Sequence, residues 1–199
     1  VLGDDVLAAV EAALLGRFGS DPARASVSFL GVERVDVLRW RTSGSTVLAT
    51  LGASRHPMGG TESMHVEPVL GPRAELVLRV RETNQVSADP LVRPLAVLAA
   101  SPAVEGVVLR SESTFDLGSP LVPRSACTGF LLQEDAEHAV ETGIGDVEAV
   151  RMLRAIPITA NELAWARARG GSALWSALQF DEADQTDLLR RTVHLEAAG

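Results

Sequence analysis

The chain of 199 residues has no lysine, no tyrosine and one cysteine, Cys127. Without Lys there is no Schiff base, no P-loop of the GK[ST] type and no kinase-type phosphate lysine; without Tyr there is no phenolic acid or base. A lone cysteine cannot close a disulfide within the chain, which suits a reducing cytoplasm. No apolar run approaches the roughly 18 residues that a membrane span needs. The opening "VLGDDVLAAVEAALL" carries two aspartates where a signal peptide would carry basic residues, so a soluble, cytoplasmic protein is expected. All 18 basic residues are arginines, set against 26 acids. The resulting net charge of -8 disfavours nucleic acid and anionic membrane and favours a cationic partner. Arg without Lys, with abundant Ala, Gly, Val and Leu, points to a GC-rich bacterial gene.

The apolar pattern predicts one compact domain over residues 1–199. Val6, Leu7, Val10, Ala13 and Leu14 recur at helical spacing between Asp4 and Arg17, with acids in the first turn and Gly19 beyond the end. Alternation around Phe29, Val35, Val37 and Trp40, then the β-branched "TVLATLGA", predicts two or three strands. In "RAELVLRVRE" Leu76, Leu78 and Val80 are expected to face a core, with Glu75, Val77, Arg79 and Arg81 on a largely wet side. A helix is expected from about Leu91 to Ala100, stopped by Pro102. Extended segments follow at "GVVLRSES" and "CTGFLLQED", then "VEAVRMLRAIPIT". Thr159 and Glu162 form a capping box, with Ile158 and Leu163 as a hydrophobic staple. Gly170-Gly171 ends that helix and Ser172 is expected to cap a shorter one through Trp175 and Leu178, before a solvated helix or arm over residues 181–199. The order lacks regular βαβ alternation, so the fold class is α+β, a mixed β-sheet flanked by helices.

The stretch "SRHPMGGTESMH", Ser54 to His65, is the richest in chemical groups. His56, Glu62, His65 and Glu67 could ligate zinc, but no HExxH pair is present. The eight residues between the histidines include two glycines and fix no ligand geometry. A Cys/His nucleophile would need Cys127 with His56, His65, His138 or His194, whereas a lone Cys at a strand start is more often a small buried hydrophobe. No G-x-S-x-G elbow exists, and "GIGDVEAV" lacks the third glycine of a dinucleotide loop. The carboxylate pairs Asp4-Asp5, Glu134-Asp135 and Asp181-Glu182 mark helix starts or wet turns. Trp40, Trp165 and Trp175 sit in apolar patterns that suit core packing. No catalytic residue, metal or cofactor is therefore expected; a small metal-dependent or Cys/His hydrolase using the His56/His65 loop is the alternative.

Taken together, "VLATLGASRHPM", "RAELVLRV", "PLAVLAASP" with the following "EGVVL", "GFLLQ" and "AIPITANELAWARARGGSALWSAL" resemble the Suppressor of fused domain family from about Val27 to Leu178. The pattern "TLG.S...M" falls on Thr50, Leu51, Gly52, Ser54 and Met58. The resemblance implies a mixed α/β fold and a non-enzymatic protein-binding role. In animals the family regulates the Hedgehog pathway by sequestering a transcription factor between two domains. In bacteria, similar domains occur beside polymorphic toxins as immunity proteins. With only a tail after Leu178, the two-domain clamp is not expected here. The expectation is a protein partner, a cationic toxin domain being the leading kind, held at a surface that includes Arg55, His56, Met58, Glu62, Met64 and His65.

Overall fold

The computed structural model describes residues 2–29, 31–59 and 70–195. Helix α1 (Leu2–Phe18) buries Val6, Val10 and Leu14, with Asp4 and Asp5 at its positive end and Arg17 at its negative end. Three antiparallel strands follow: β1 (Ala23–Phe29), β2 (Val32–Thr42) and β3 (Ser45–Leu51). After a 3₁₀ turn at Ala53–Arg55 come β4 (Arg73–Arg81), α2 (Val92–Glu105), β5 (Thr114–Asp116), β6 (Cys127–Glu134), β7 (Val150–Thr159), α3 (Ala160–Arg169) and α4 (Gly171–Phe180).

The seven strands form one sheet in the order β1-β2-β3-β4-β7-β6-β5. Every pairing is antiparallel except β4 with β7, so the sheet is mixed and the class is α+β. On one face α2 packs over Leu48, Leu76, Leu78, Phe130, Leu132 and Leu153. On the other, α1 covers Leu38, Trp40, Val47, Ala49 and Met152. Ile156 and Ile158, in step with Met152 along β7, carry α3 and α4 on α1's side.

The residues correct several sequence expectations. The second side of β4 is wet only at Arg79 and Arg81: Arg73 and Glu75 are fully buried, because β7 pairs with that half of the strand and the 52–55 turn folds over it. Pro102 lies inside α2. A proline there removes the N–H that would reach the Leu98 carbonyl, and the Ser101 hydroxyl supplies a replacement donor at 2.8 Å. Most of "GVVLRSES" forms no strand; only its last residues, Glu112 and Ser113, bond the Leu132 backbone, and the ladder with β6 runs from Thr114. Ser172 is not a cap, since α4 starts at Gly171 with Gly170 before it. A side chain at Gly171 would place its Cβ 1.8 Å from the Glu112 carbonyl oxygen, so only glycine allows this approach.

The described part of the tail is neither a solvated helix nor a solvated arm. β4 and β7 pair only from Arg73↔Val150 to Val77↔Arg154, then part. Residues 184–193 run into that fork. The Arg81 amide donates to the Thr186 carbonyl at 2.9 Å, the Ser125 hydroxyl donates to the Leu188 carbonyl, and Leu188 is fully buried. Arg190 holds the far side, donating to the Pro157 carbonyl at 2.9 Å and to both carboxylate oxygens of buried Glu162 at 2.6 and 2.7 Å.

The capping box forms as read. The Glu162 amide donates to Thr159 Oγ1 at 3.2 Å and the Thr159 amide to Glu162 Oε2 at 2.8 Å, while Ile158 and Leu163 pack in one apolar cluster. Thr159→Ala should therefore cost about 1–2 kcal/mol, the upper end because its hydroxyl also meets Thr192 Oγ1. The measurement is the urea midpoint at unchanged slope; an unmoved midpoint would mean that the helix start does not rest on this cap.

Candidate functional site

The loop singled out by the sequence leaves β3 through a turn built around Glu75. One oxygen of its carboxylate, Oε1, accepts from the Gly52 amide (2.8 Å), the Ser54 amide (2.9 Å) and the Ser54 hydroxyl (2.7 Å). The other accepts from Thr50 Oγ1 at 2.5 Å, and Thr50 Oγ1 in turn accepts from the Leu76 amide at 2.8 Å. Arg73, two residues earlier on β4, donates through Nη1 to the Ser54 and Arg55 carbonyls at 2.8 Å each. Gly52 adopts φ 144°, and a Cβ there would lie 2.9 Å from the Arg34 carbonyl oxygen. The motif "TLGAS" thus has a physical cause: Thr50, Gly52 and Ser54 are the donors to one buried carboxylate.

Beyond this hub the candidate residues separate. Arg55 makes ion pairs with Glu33 at 2.5 Å and with Asp4 of α1. His56 stands on the surface with its side chain 70% exposed and Nε2 3.5 Å from Glu33 Oε1. Met58 is 5% exposed, packs in the α2-side core and donates its amide to the Pro72 carbonyl at 2.8 Å. Glu62, Met64 and His65 lie outside the described residues. Beside His56 a cleft of about 110 Å³ opens between Val32 and Glu33 of β2 and Ala99 and Ala103 of α2.

The neighbouring connection between β6 and β7 sits at the same end of the sheet, since Arg73 at the start of β4 lies opposite Val150 at the start of β7. Residues 134–148 hold Glu134, Asp135, Glu137, Glu141, Asp146 and Glu148 and no Arg or Lys. A bridge between Val140 and Val150 closes the second half of this segment into a tight loop. Partial burial works against the Asp135 charge, but hydrogen bonds from His138 and Arg17 outweigh it and hold the carboxyl below its usual range. A largely apolar notch of about 160 Å³, between Leu14 and Arg17 of α1, His138, Ala139, Val140 and Met152, adjoins this segment.

Among the described residues no three His, Cys, Asp or Glu side chains are grouped to hold a metal ion. Cys127 is fully buried, and burial pushes its thiol up, away from thiolate chemistry. No described helix is long and apolar enough to cross a membrane. Sequence reasoning missed Glu75 and Arg73. The available signal was a glutamate set between Ala74 and Leu76 in the apolar middle of the strand, where a charge needs a buried partner set.

The architecture, a mixed seven-stranded sheet with α2 on one face and α1, α3 and α4 on the other, is that of Suppressor of fused structures. A family model described as Suppressor of fused protein (SUFU) matches residues 31–191, and the chain belongs to that family. The match runs into the docked tail, as far as Arg191. A SUFU homolog from Neisseria gonorrhoeae is similar over 98% of this chain and 100% of its own, at 16% identity and a TM-score of 0.69. A crystal structure of a Sufu–Fu complex is similar over 94% and 91% of the two chains, at 15% identity and a TM-score of 0.68. Drosophila Suppressor of Fused matches over 94% of this chain and 50% of its own, at 14% identity and a TM-score of 0.64. At these identities the likeness shows the shared fold. A sequence search of curated proteins found no match.

Proposed function

We propose that this domain binds and occludes a cationic protein in the cytoplasm and performs no chemistry of its own, as an immunity protein does toward a toxin domain encoded nearby. The observation that carries the reading is the acidic end of the sheet: six carboxylates over residues 134–148 with no Arg or Lys among them and, among the described residues, only Asp135 paired, with His138 and Arg17, beside a loop base locked by Glu75. A surface of predominantly one sign of charge steers an oppositely charged partner and fixes its orientation. Arg55, His56, Glu62, Met64 and His65 would extend this surface, while Met58 is buried in the core. Family membership supports a protein partner, and one of the similar structures is itself a complex, of Sufu with Fu.

The test uses the partner recovered from the native host. Replacing Glu141, Asp146 and Glu148 together by Gln, Asn and Gln should slow association about tenfold at low salt and flatten its salt dependence. The urea midpoint should stay put, because Glu141, Asp146 and Glu148 are all exposed. An acidic partner, or wild-type association rates indifferent to salt, would overturn the electrostatic reading; turnover of a small molecule with no protein partner would overturn the binding reading.

A further inference from the structure

On the sheet face between α1 and α4, in a protein of net charge -8, three arginines line one small cavity. The cavity measures about 120 Å³ and lies over the fork where β4 and β7 part. Arg154 stands opposite Val77 in the parallel ladder, and Arg79 follows Val77 by two residues on the same face, so the two side chains rise side by side. Gln185, from the tail in the fork, lines the third side.

Two of the three, Arg79 and Arg154, share this cavity without a counter-charge among the described residues. Arg17, the third arginine, is already bound to Asp135 at 2.9 Å and lies over the Phe18 ring. Among the described residues, neither Arg79 nor Arg154 meets a carboxylate, and the Gln185 amide makes no side-chain hydrogen bond. The Arg154 Nε–H is shielded from solvent and has no acceptor. Its guanidinium lies over the Trp175 ring, 5.5 Å from the ring centre, a cation–π contact.

We infer that this cavity binds a phosphate group, free or as a small monoester. Two uncommitted guanidiniums balance a phosphate dianion, and their forked donors match its oxygens in pairs. Donors converging from β4, β7 and the tail suit a tetrahedral oxyanion better than a planar carboxylate. The cavity, about 120 Å³ and open on one side, has room for a phosphate group. The site faces away from α2 and meets the acidic end of the sheet only through Arg17, which Asp135 holds; Glu141, Asp146 and Glu148 do not line it, so its test stands apart from that of the proposed protein partner.

The experiment is calorimetric titration of the full chain with inorganic phosphate and, separately, glycerol 3-phosphate, each at constant ionic strength against chloride. One-to-one saturable binding is expected, with a dissociation constant at or below about 1 mM. Arg79→Gln, at an exposed position, and Gln185→Ala should each weaken it, the arginine change by about tenfold or more. Arg93→Gln, on α2 across the sheet, should leave it unchanged. Tighter binding of the ester than of inorganic phosphate would identify a phosphomonoester as the ligand, and the reverse would identify the free ion. No saturable heat below about 10 mM, or equal weakening by Arg93→Gln and Arg79→Gln, would overturn the site.

Discussion

Glu75→Ala should destabilise the protein by about 3–5 kcal/mol, the cost of emptying a buried charged hub. The substitution leaves the Gly52 amide, the Ser54 amide, the Ser54 hydroxyl and the Thr50 hydroxyl without their acceptor in a place that solvent does not reach. Arg73 would stay buried and tied to the Ser54 and Arg55 carbonyls while the turn it braces loosened. Glu75→Gln separates geometry from charge. Its amide oxygen can keep the three donors now at Oε1, but its NH₂ meets the Thr50 hydroxyl, which already accepts from Leu76 and would have to turn its own hydrogen elsewhere. The Gln variant should therefore cost about 1–2 kcal/mol. Urea midpoints of both variants, with amide exchange at Gly52 and Ser54, check this. An Ala variant within about 0.5 kcal/mol of wild type would sink the hub as the loop's anchor.

Most of what was legible in the sequence acts within a turn or two of chain. The apolar spacing of Val6, Val10 and Leu14 and the box of Thr159 with Glu162 depend on residues three or four apart, and both are found where they were expected. Burial of a strand's second face is different, because it depends on what covers it. The alternation in β4 holds for Arg79 and Arg81, which are exposed past the point where β7 departs, and fails for Arg73 and Glu75, which β7 and the turn enclose. A parallel neighbour from a distant part of the chain leaves no mark in the local pattern. Pro102 shows the reverse case: its helix-breaking tendency is real, and a serine one position earlier offsets it.

The candidate loop was legible as a place rather than as a mechanism. Its signature residues Thr50, Gly52 and Ser54 stand in the sequence, but their common acceptor lies on the next strand, so the reason for the motif appears only when β3 and β4 are side by side. The cavity of Arg79, Arg154 and Gln185 draws one residue each from β4, β7 and the tail, and no spacing rule connects them. The tail itself reads as polar and charged, "DEADQTDLLRR", and its docking rests on Leu188 and Arg190, two residues whose partners lie far back in the chain.

Arg190→Met should be nearly as damaging as the loss of Glu75. Its side chain is 7% exposed and that of Glu162 is 0% exposed, so removing the guanidinium leaves a carboxylate buried without a counter-charge, at a cost of about 3–5 kcal/mol. Burial works against the Arg190 charge, yet the hydrogen bonds and attraction from Glu162 more than offset it and hold the guanidinium above its ordinary pKa. The Pro157 carbonyl also loses its donor, and residues 184–193 lose the clamp that keeps them in the fork. Two further measurements identify the cause. Adding Glu162→Gln to Arg190→Met should recover part of the loss, because a glutamine at that position can still complete the capping box while the uncompensated charge is gone. Limited proteolysis should cut the single variant faster just after Phe180, where the chain leaves α4 for the fork. If the single variant costs less than about 1 kcal/mol, or if the double variant is worse than the sum of its parts, the pair is not what pins the tail, and Leu188 must hold it alone.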